Sequence, residues 1–204
     1  MKLKLPLFIV FEGIDGSGKS TQADLLYGYC KKNDIPSMLF REPTGGPWGK
    51  KIREMLSGEL KTDVKGQLEL FLRDREYDVC NNIRPALEEG KLVILDRYYY
   101  STAAYQGGDQ YTTREIIAMN LSRGFPRPDR VYLIDIDPET ALHRVGKRNP
   151  GREEIFEKKQ FLEKVRKNYL DLADETFCVV NGNRKQEEIY DDICDDLEKV
   201  TGSI

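Results

Sequence analysis

The chain has 204 residues, 39% hydrophobic and 33% charged, with a net charge of -3. That length suits one domain with a sizeable buried core, and the composition is that of a globular protein without low-complexity tracts. A slightly acidic chain offers no basic footprint for a nucleic-acid backbone, so a small phosphate-bearing ligand held by a few local cations is the better fit.

The first residues carry Lys2 and Lys4 ahead of an apolar run. The run contains Pro6, is short, and ends at Glu12 without an A-x-A-like cleavage site, so it reads as a buried strand rather than a signal peptide. Strand Leu7–Glu12 leads through the glycine-rich turn Gly13–Gly18 into an amphipathic helix, Lys19–Asn33. Strand Ser37–Arg41, the irregular segment Glu42–Trp48 and helices Gly49–Leu56 and Gly66–Glu89 follow. Next come strand Leu92–Asp96, helix Thr113–Ser122 between the irregular Gly107–Tyr111 and Gly124–Asp129, and strand Val131–Ile136. Helix Pro138–Val145, the loop Gly146–Gly151, helix Glu154–Ala173, strand Phe177–Asn181 and helix Lys185–Val200 complete the chain.

Strand runs that are apolar without alternation, separated by helices, predict a single α/β domain with a five-stranded parallel sheet buried on both faces. In such a sheet ligands sit beyond the carboxyl ends of the strands, so Gly13–Gly18 and Glu42–Trp48 are the natural site builders. No stretch approaches the roughly 20 apolar residues a membrane helix needs. Cys30, Cys80, Cys178 and Cys194 are widely spaced with no C-x-x-C pair, which favours free thiols and a cytoplasmic protein. With His143 the only histidine, a His-based triad or His-rich metal site is unavailable.

The segment Gly13-Ile-Asp-Gly-Ser-Gly18-Lys19-Ser20 matches the phosphate-binding pattern G-x-x-x-x-G-K-S/T in full. The expected ATP ligands are therefore Gly13, Ile14, Asp15, Gly16, Ser17, Gly18, Lys19 and Ser20. Backbone N–H groups cradle the phosphates and Lys19 adds a positive charge at the β- and γ-phosphates. The Ser20 hydroxyl suits Mg²⁺. Asp96, at the tip of the strand Leu92-Val-Ile-Leu-Asp96, is the second expected metal residue. The P-loop NTPase fold follows, without saying what is done with the nucleotide. A guanine-reading N-K-x-D is absent.

The chain resembles thymidylate kinases over nearly its whole length. The resemblance rests on Phe11-Glu12-Gly13-Ile14-Asp15-Gly16, Arg41-Glu42-Pro43, Leu70-Phe71-Leu72-Arg73-Asp74-Arg75 and, most specifically, Asp96-Arg97-Tyr98-Tyr-Tyr-Ser101-Thr102-Ala-Ala-Tyr105-Gln106-Gly107. Pro126-Arg127-Pro128-Asp129 is similar too. The resemblance implies transfer of the γ-phosphate of ATP to dTMP with Mg²⁺ by a homodimer. It assigns Phe71 to stacking on thymine, Arg75 to its O4, Thr102 to the ring edge and Arg97 to the acceptor phosphate. Tyr105 would wall the sugar and Asp15 would accept from its 3′-hydroxyl, with Glu42, Arg53 and Gln106 completing the acceptor site. Phe71 and Arg75 lie four apart, and so share a helix face.

Repulsion between two polyphosphates is the main obstacle to such a transfer, and the basic segment around residues 144–156 reads as a lid that supplies charge on closing. It carries Arg144, Lys147, Arg148 and Arg152. Relatives have either a basic residue inside the P-loop or a glycine there with the charge in the lid, and Gly16 puts this chain with the second group. Ile155 stands where the family often has a basic residue, so the catalytic lid group is Arg148 or Arg152. Another departure is Thr44-Gly45-Gly46-Pro47-Trp48 after Pro43, where relatives commonly read Gly-Gly-Thr. The alternatives are another P-loop nucleotide or deoxynucleoside kinase, for which Glu12 would be the candidate base, or a non-catalytic nucleotide-sensing module.

Overall fold

The computed structural model describes residues 3–145 and 152–202. Its strands are β1 (Leu7–Glu12), β2 (Ser37–Arg41), β3 (Leu92–Asp96), β4 (Arg130–Asp135) and β5 (Phe177–Asn181). Its helices are α1 (Lys19–Lys32), α2 (Pro47–Leu56), α3 (Val64–Asp78), α4 (Arg84–Glu88), α5 (Tyr99–Gln106), α6 (Thr113–Ser122), α7 (Pro138–Val145), α8 (Arg152–Leu172) and α9 (Gln186–Thr201). The strands form one parallel sheet in the order β2-β3-β1-β4-β5.

β1 and β3 are buried at every position, and both lie inside the sheet with helices on each face. That double burial explains their unbroken apolar character. Side chains still alternate between faces. Phe8, Val10, Val93 and Leu95 pack with Tyr99, Val165 and Tyr169 on one side. Leu7, Ile9, Phe11 and Ile94 pack with Leu26, Ile189, Ile193 and Leu197 on the other. Each such side chain removed from water contributes about 2 kcal/mol. Phe11 lies opposite Asp96, so the register sets the β3 carboxylate beside the exit of β1. The Asp129 carboxylate accepts the Phe8 N–H at 2.7 Å and the Asp129 N–H donates to the Phe8 carbonyl at 2.8 Å, tying the Pro-Arg-Pro-Asp segment to β1.

Besides helix ends shifted by one or two residues, three local features differ from the sequence expectation. β4 starts one residue earlier than expected and ends at Asp135. The expected long helix through Glu89 is divided by a π-helical turn, Val79–Ile83. Pro85 supplies the reason, since it has no N–H for the preceding turn and its ring crowds that turn's carbonyl, which a wider turn accommodates. The third feature is α5, which the Tyr98-Tyr99-Tyr100 run hid. Its opening N–H groups are satisfied from far away in the chain, because the Glu12 carboxylate accepts from Tyr98 N–H at 2.9 Å and Ser101 N–H at 3.1 Å. No helix among the described residues is long and apolar enough to cross a membrane.

Candidate active site

The glycine-rich turn runs from β1 into α1 with Gly16 at φ +85° and Gly18 at φ +97°. A Cβ on Gly16 would lie 2.7 Å from the Ala141 carbonyl of α7. A side chain at position 16 would meet both the positive φ and this carbonyl. The first turn of α1 carries no acidic residue, so its positive end is open to an anion. Lys19 is buried, with Nζ 3.5 Å from the Ile14 carbonyl and 3.7 Å from the Asp15 carboxylate. Burial and then the Arg97 charge pull the ammonium down to about 8, while Asp15, Asp96 and Glu12 pull the other way.

Ser20 donates to Asp96 Oδ2 at 2.5 Å, and Arg41 Nε donates to the same oxygen at 2.7 Å. Asp96 Oδ1 is buried without a hydrogen-bond partner. An unmatched carboxylate oxygen beside a serine hydroxyl fits Mg²⁺, a hard cation that takes oxygen ligands and keeps substrate phosphates or waters in its shell. Among the described residues no group of three or more His, Cys, Asp or Glu side chains is placed to hold a metal ion. The loop opens on a cavity of about 500 Å³ lined by residues 16–22 together with Arg144, Gly182, Arg184, Gln186 and Ile189. Arg144 reaches the Gly182 carbonyl at 3.0 Å and the Ser17 carbonyl at 3.4 Å, closing the rim between the loop and the end of β5.

A second cavity, of about 580 Å³, lies on the other side of the loop. Asp15, Phe71, Arg97, Thr102, Tyr105 and Gln106 line it, so six of the expected acceptor residues meet there from the P-loop, α3, the β3 exit and α5. Arg97 has φ 73°, the left-handed region that a side chain with Cβ enters at a cost of about 1–3 kcal/mol. Its N–H donates to the Phe11 carbonyl at 3.0 Å, which holds the turn. The guanidinium then faces the loop, ion-paired to Asp15, donating to Ser101 Oγ at 2.9 Å and lying over the Tyr105 ring. The Tyr105 hydroxyl accepts the Asp15 N–H at 3.1 Å.

The other expected acceptor residues stand elsewhere. Arg75 is fully buried behind the cavity wall, where its guanidinium donates to Glu42, to Asn120 Oδ1 at 2.7 Å and to Thr102 Oγ1 at 3.2 Å. Burial pushes the Glu42 carboxyl upward and Arg75 pulls it back. Arg53 is exposed and donates to the carbonyls of Pro43 at 3.3 Å and Thr44 at 2.8 Å, bracing the loop after β2. Thr44 in turn bonds Asp74 through both its N–H, at 2.8 Å, and its hydroxyl, at 2.6 Å. Besides α5, Glu12 accepts from the hydroxyls of Ser101 at 2.6 Å and Tyr169 at 3.0 Å. A carboxylate engaged by four donors is a clamp, not a free base.

Of the lid arginines, Arg148 lies outside the described residues, and Arg152 opens α8. Sequence reasoning passed over Pro43, Leu56, Val64, Gln67, Ser101 and Phe161, which also line the second cavity. Gln67 had one legible signal, since it precedes Phe71 by a helical turn, and its amide accepts from Gln106 at 3.0 Å. Phe161 comes from a helix far along the chain, with its ring 6.0 Å from that of Tyr105.

A parallel sheet of this order, a complete phosphate-binding loop and a second cavity across that loop define a P-loop phosphotransferase. A family model described as thymidylate kinase matches residues 11–193. A thymidylate kinase of Leptospira interrogans is 44% identical over 189 residues, 93% of this chain and 92% of that protein. A probable thymidylate kinase of Archaeoglobus fulgidus is 42% identical over 187 residues, 92% of each. A thymidylate kinase of Carboxydothermus hydrogenoformans is 40% identical over 200 residues, 96% of this chain and 98% of that one. The chain belongs to the thymidylate kinase family.

Proposed function

We propose that this protein transfers the γ-phosphate of ATP to dTMP, giving ADP and dTDP. The observation that carries the reading is the division of two cavities by consecutive residues of one loop, with Asp15 on the acceptor side and Gly16 on the donor side. Two phosphates bound in those cavities would meet between Lys19 and Arg97. An oxygen of the acceptor phosphate bonds to Pγ, the bond from Pγ to the β,γ-bridging oxygen breaks, and the electron pair leaves on ADP without net proton transfer.

Lys19 and the loop N–H groups hold the donor, and Arg97 holds the acceptor phosphate as a planar fork. Ser20 and Asp96 would hold Mg²⁺, which neutralises charge on the β- and γ-phosphates. Asp15 is paired to Arg97. An incoming phosphate takes its place, and the released carboxylate accepts from the sugar 3′-hydroxyl. Phe71 stacks on the base while Arg75 and Thr102 read its edge. Tyr105 walls the sugar, with Gln106, Glu42 and Arg53 supporting the site. Arg144 flanks ATP, and Arg148 or Arg152 completes the charge around Pγ from a basic lid. The whole chain acts as one domain.

A nucleoside kinase would need a general base for a neutral hydroxyl. Glu12, the candidate for that role, is fully engaged. The reading includes a cytoplasmic homodimer formed through helices flanking the acceptor cavity, where Leu56 of α2 and Tyr77 of α3 are exposed. Sedimentation of the purified protein tests the dimer, and a monomer at micromolar concentration removes that part. ADP release with ATP and Mg²⁺ against dTMP, dUMP, dCMP, dGMP, AMP and thymidine tests the reaction. Preference for dTMP is expected, and turnover on another acceptor alone would overturn the substrate assignment.

A further inference from the structure

Arg75 makes no sense as a lone reader of the acceptor base. It is fully buried, and a guanidinium on a flexible stem holds one orientation only when its own donors are matched. Two partners of Arg75 lie away from the cavity. Glu42 follows β2, and Asn120 projects from α6 with no exposed surface. Asn120 uses its amide twice, accepting from Arg75 Nη1 at 2.7 Å and donating to the Ile116 carbonyl one turn earlier at 2.7 Å. The second bond fixes which way the amide faces, so its oxygen is committed to Arg75. Tyr98 lies beneath, its ring centre 5.1 Å from the guanidinium carbon. Nη2 is shared by Glu42 and Thr102, whereas Nε is buried with no protein partner.

We infer that Asn120 is a positioning residue for acceptor recognition: with Glu42 it locks the Arg75 fork that donates to Thr102, and Thr102 lines the cavity where the acceptor base would sit. This rests on the reading of Arg75 as the thymine reader. With its oxygen accepting from Arg75, the Thr102 hydroxyl is left to donate, and a base carrying an amino group at the same place meets donor against donor. Asn120 therefore acts on the choice of acceptor and not on ATP, from a helix that contributes nothing to the phosphate sites.

Two variants separate this role from a structural one, because each keeps one of the two Asn120 bonds. Asn120→Asp retains an oxygen for Arg75 and loses the amide donor to Ile116. Asn120→Ser can bond the carbonyl four residues back but is too short for Arg75. The expected result is a KM for dTMP raised about tenfold or more in Asn120→Ser, with KM for ATP within about twofold, and near-parental values in Asn120→Asp. The dTMP over dCMP preference falls with the serine variant alone. Thermal melting reports folding alongside. Equal losses in both variants would mean that any change at this site disturbs the packing, and a larger loss in Asn120→Asp would mean that the Ile116 bond matters; either result overturns the inference. So would a folded Asn120→Ser with unchanged KM for dTMP, in which case the function stands and this role falls. A parent protein that does not turn over dTMP overturns both.

Discussion

Two arginine–carboxylate pairs flank the acceptor cavity, and they differ in almost everything but their chemistry. Arg97 and Asp15 are 18% and 62% exposed, whereas Arg75 and Glu42 are 1% and 5% exposed. The open pair is screened by water and contributes little to stability, so a ligand phosphate can exchange for Asp15 at small cost. The closed pair has lost its hydration, and separating its members strands a charge in a dry wall. On the proposed function, the first would open to the acceptor phosphate and the second would stay fixed.

The sharpest way to break that contrast is Arg75→Met. Glu42 is then buried without its partner, and a loss of about 3–5 kcal/mol in denaturant unfolding is expected. A loss below about 1 kcal/mol would show that Glu42 is neutral and the pair is no ion pair. Arg97→Gly should act in the opposite sense. It relaxes the left-handed backbone, so stability is equal or higher, while kcat/KM for dTMP falls roughly 10²–10³-fold. Turnover within about threefold of the parent would remove Arg97 from the phosphate site.

Lys19 gives the next largest effect. Burial pulls its ammonium down to about 8, and bound phosphates favour the charged form. ATP affinity should hold steady below pH 7.5 and weaken about tenfold by pH 9 in calorimetric titrations. A flat profile to pH 9 would mean that Lys19 is ordinary. The smallest effect belongs to Asp15→Asn. It should raise KM for dTMP only a few-fold and leave the melting temperature nearly unchanged, because the exposed pair contributes at most about 1 kcal/mol. A large fall in melting temperature would erase the distinction between the two pairs.

Much of the site was legible because its chemistry lies in consecutive residues. Gly13 to Ser20 follow one another, so their spacing alone specifies a phosphate cradle between a strand and a helix. Asp96 ends, and Arg97 follows, a strand whose apolar run announces its place inside a parallel sheet. Phe71 and Thr102, named at the outset from the resemblance, both line the second cavity. The helix break at Pro85 was legible in principle, since proline restricts its own turn.

What the sequence by itself determined was the sheet, the phosphate loop and the residue types available on either side of it. Local geometry and periodicity act within a few residues, and they suffice for that. The tertiary structure alone decided which residues became partners. Glu12 starts a helix 86 positions away by accepting the Tyr98 N–H, and Asn120 meets Arg75 across 45 positions. No spacing rule reaches so far. Burial decided the rest: of two arginines paired to carboxylates, one lines a cavity and keeps some access to water while the other is sealed behind its wall.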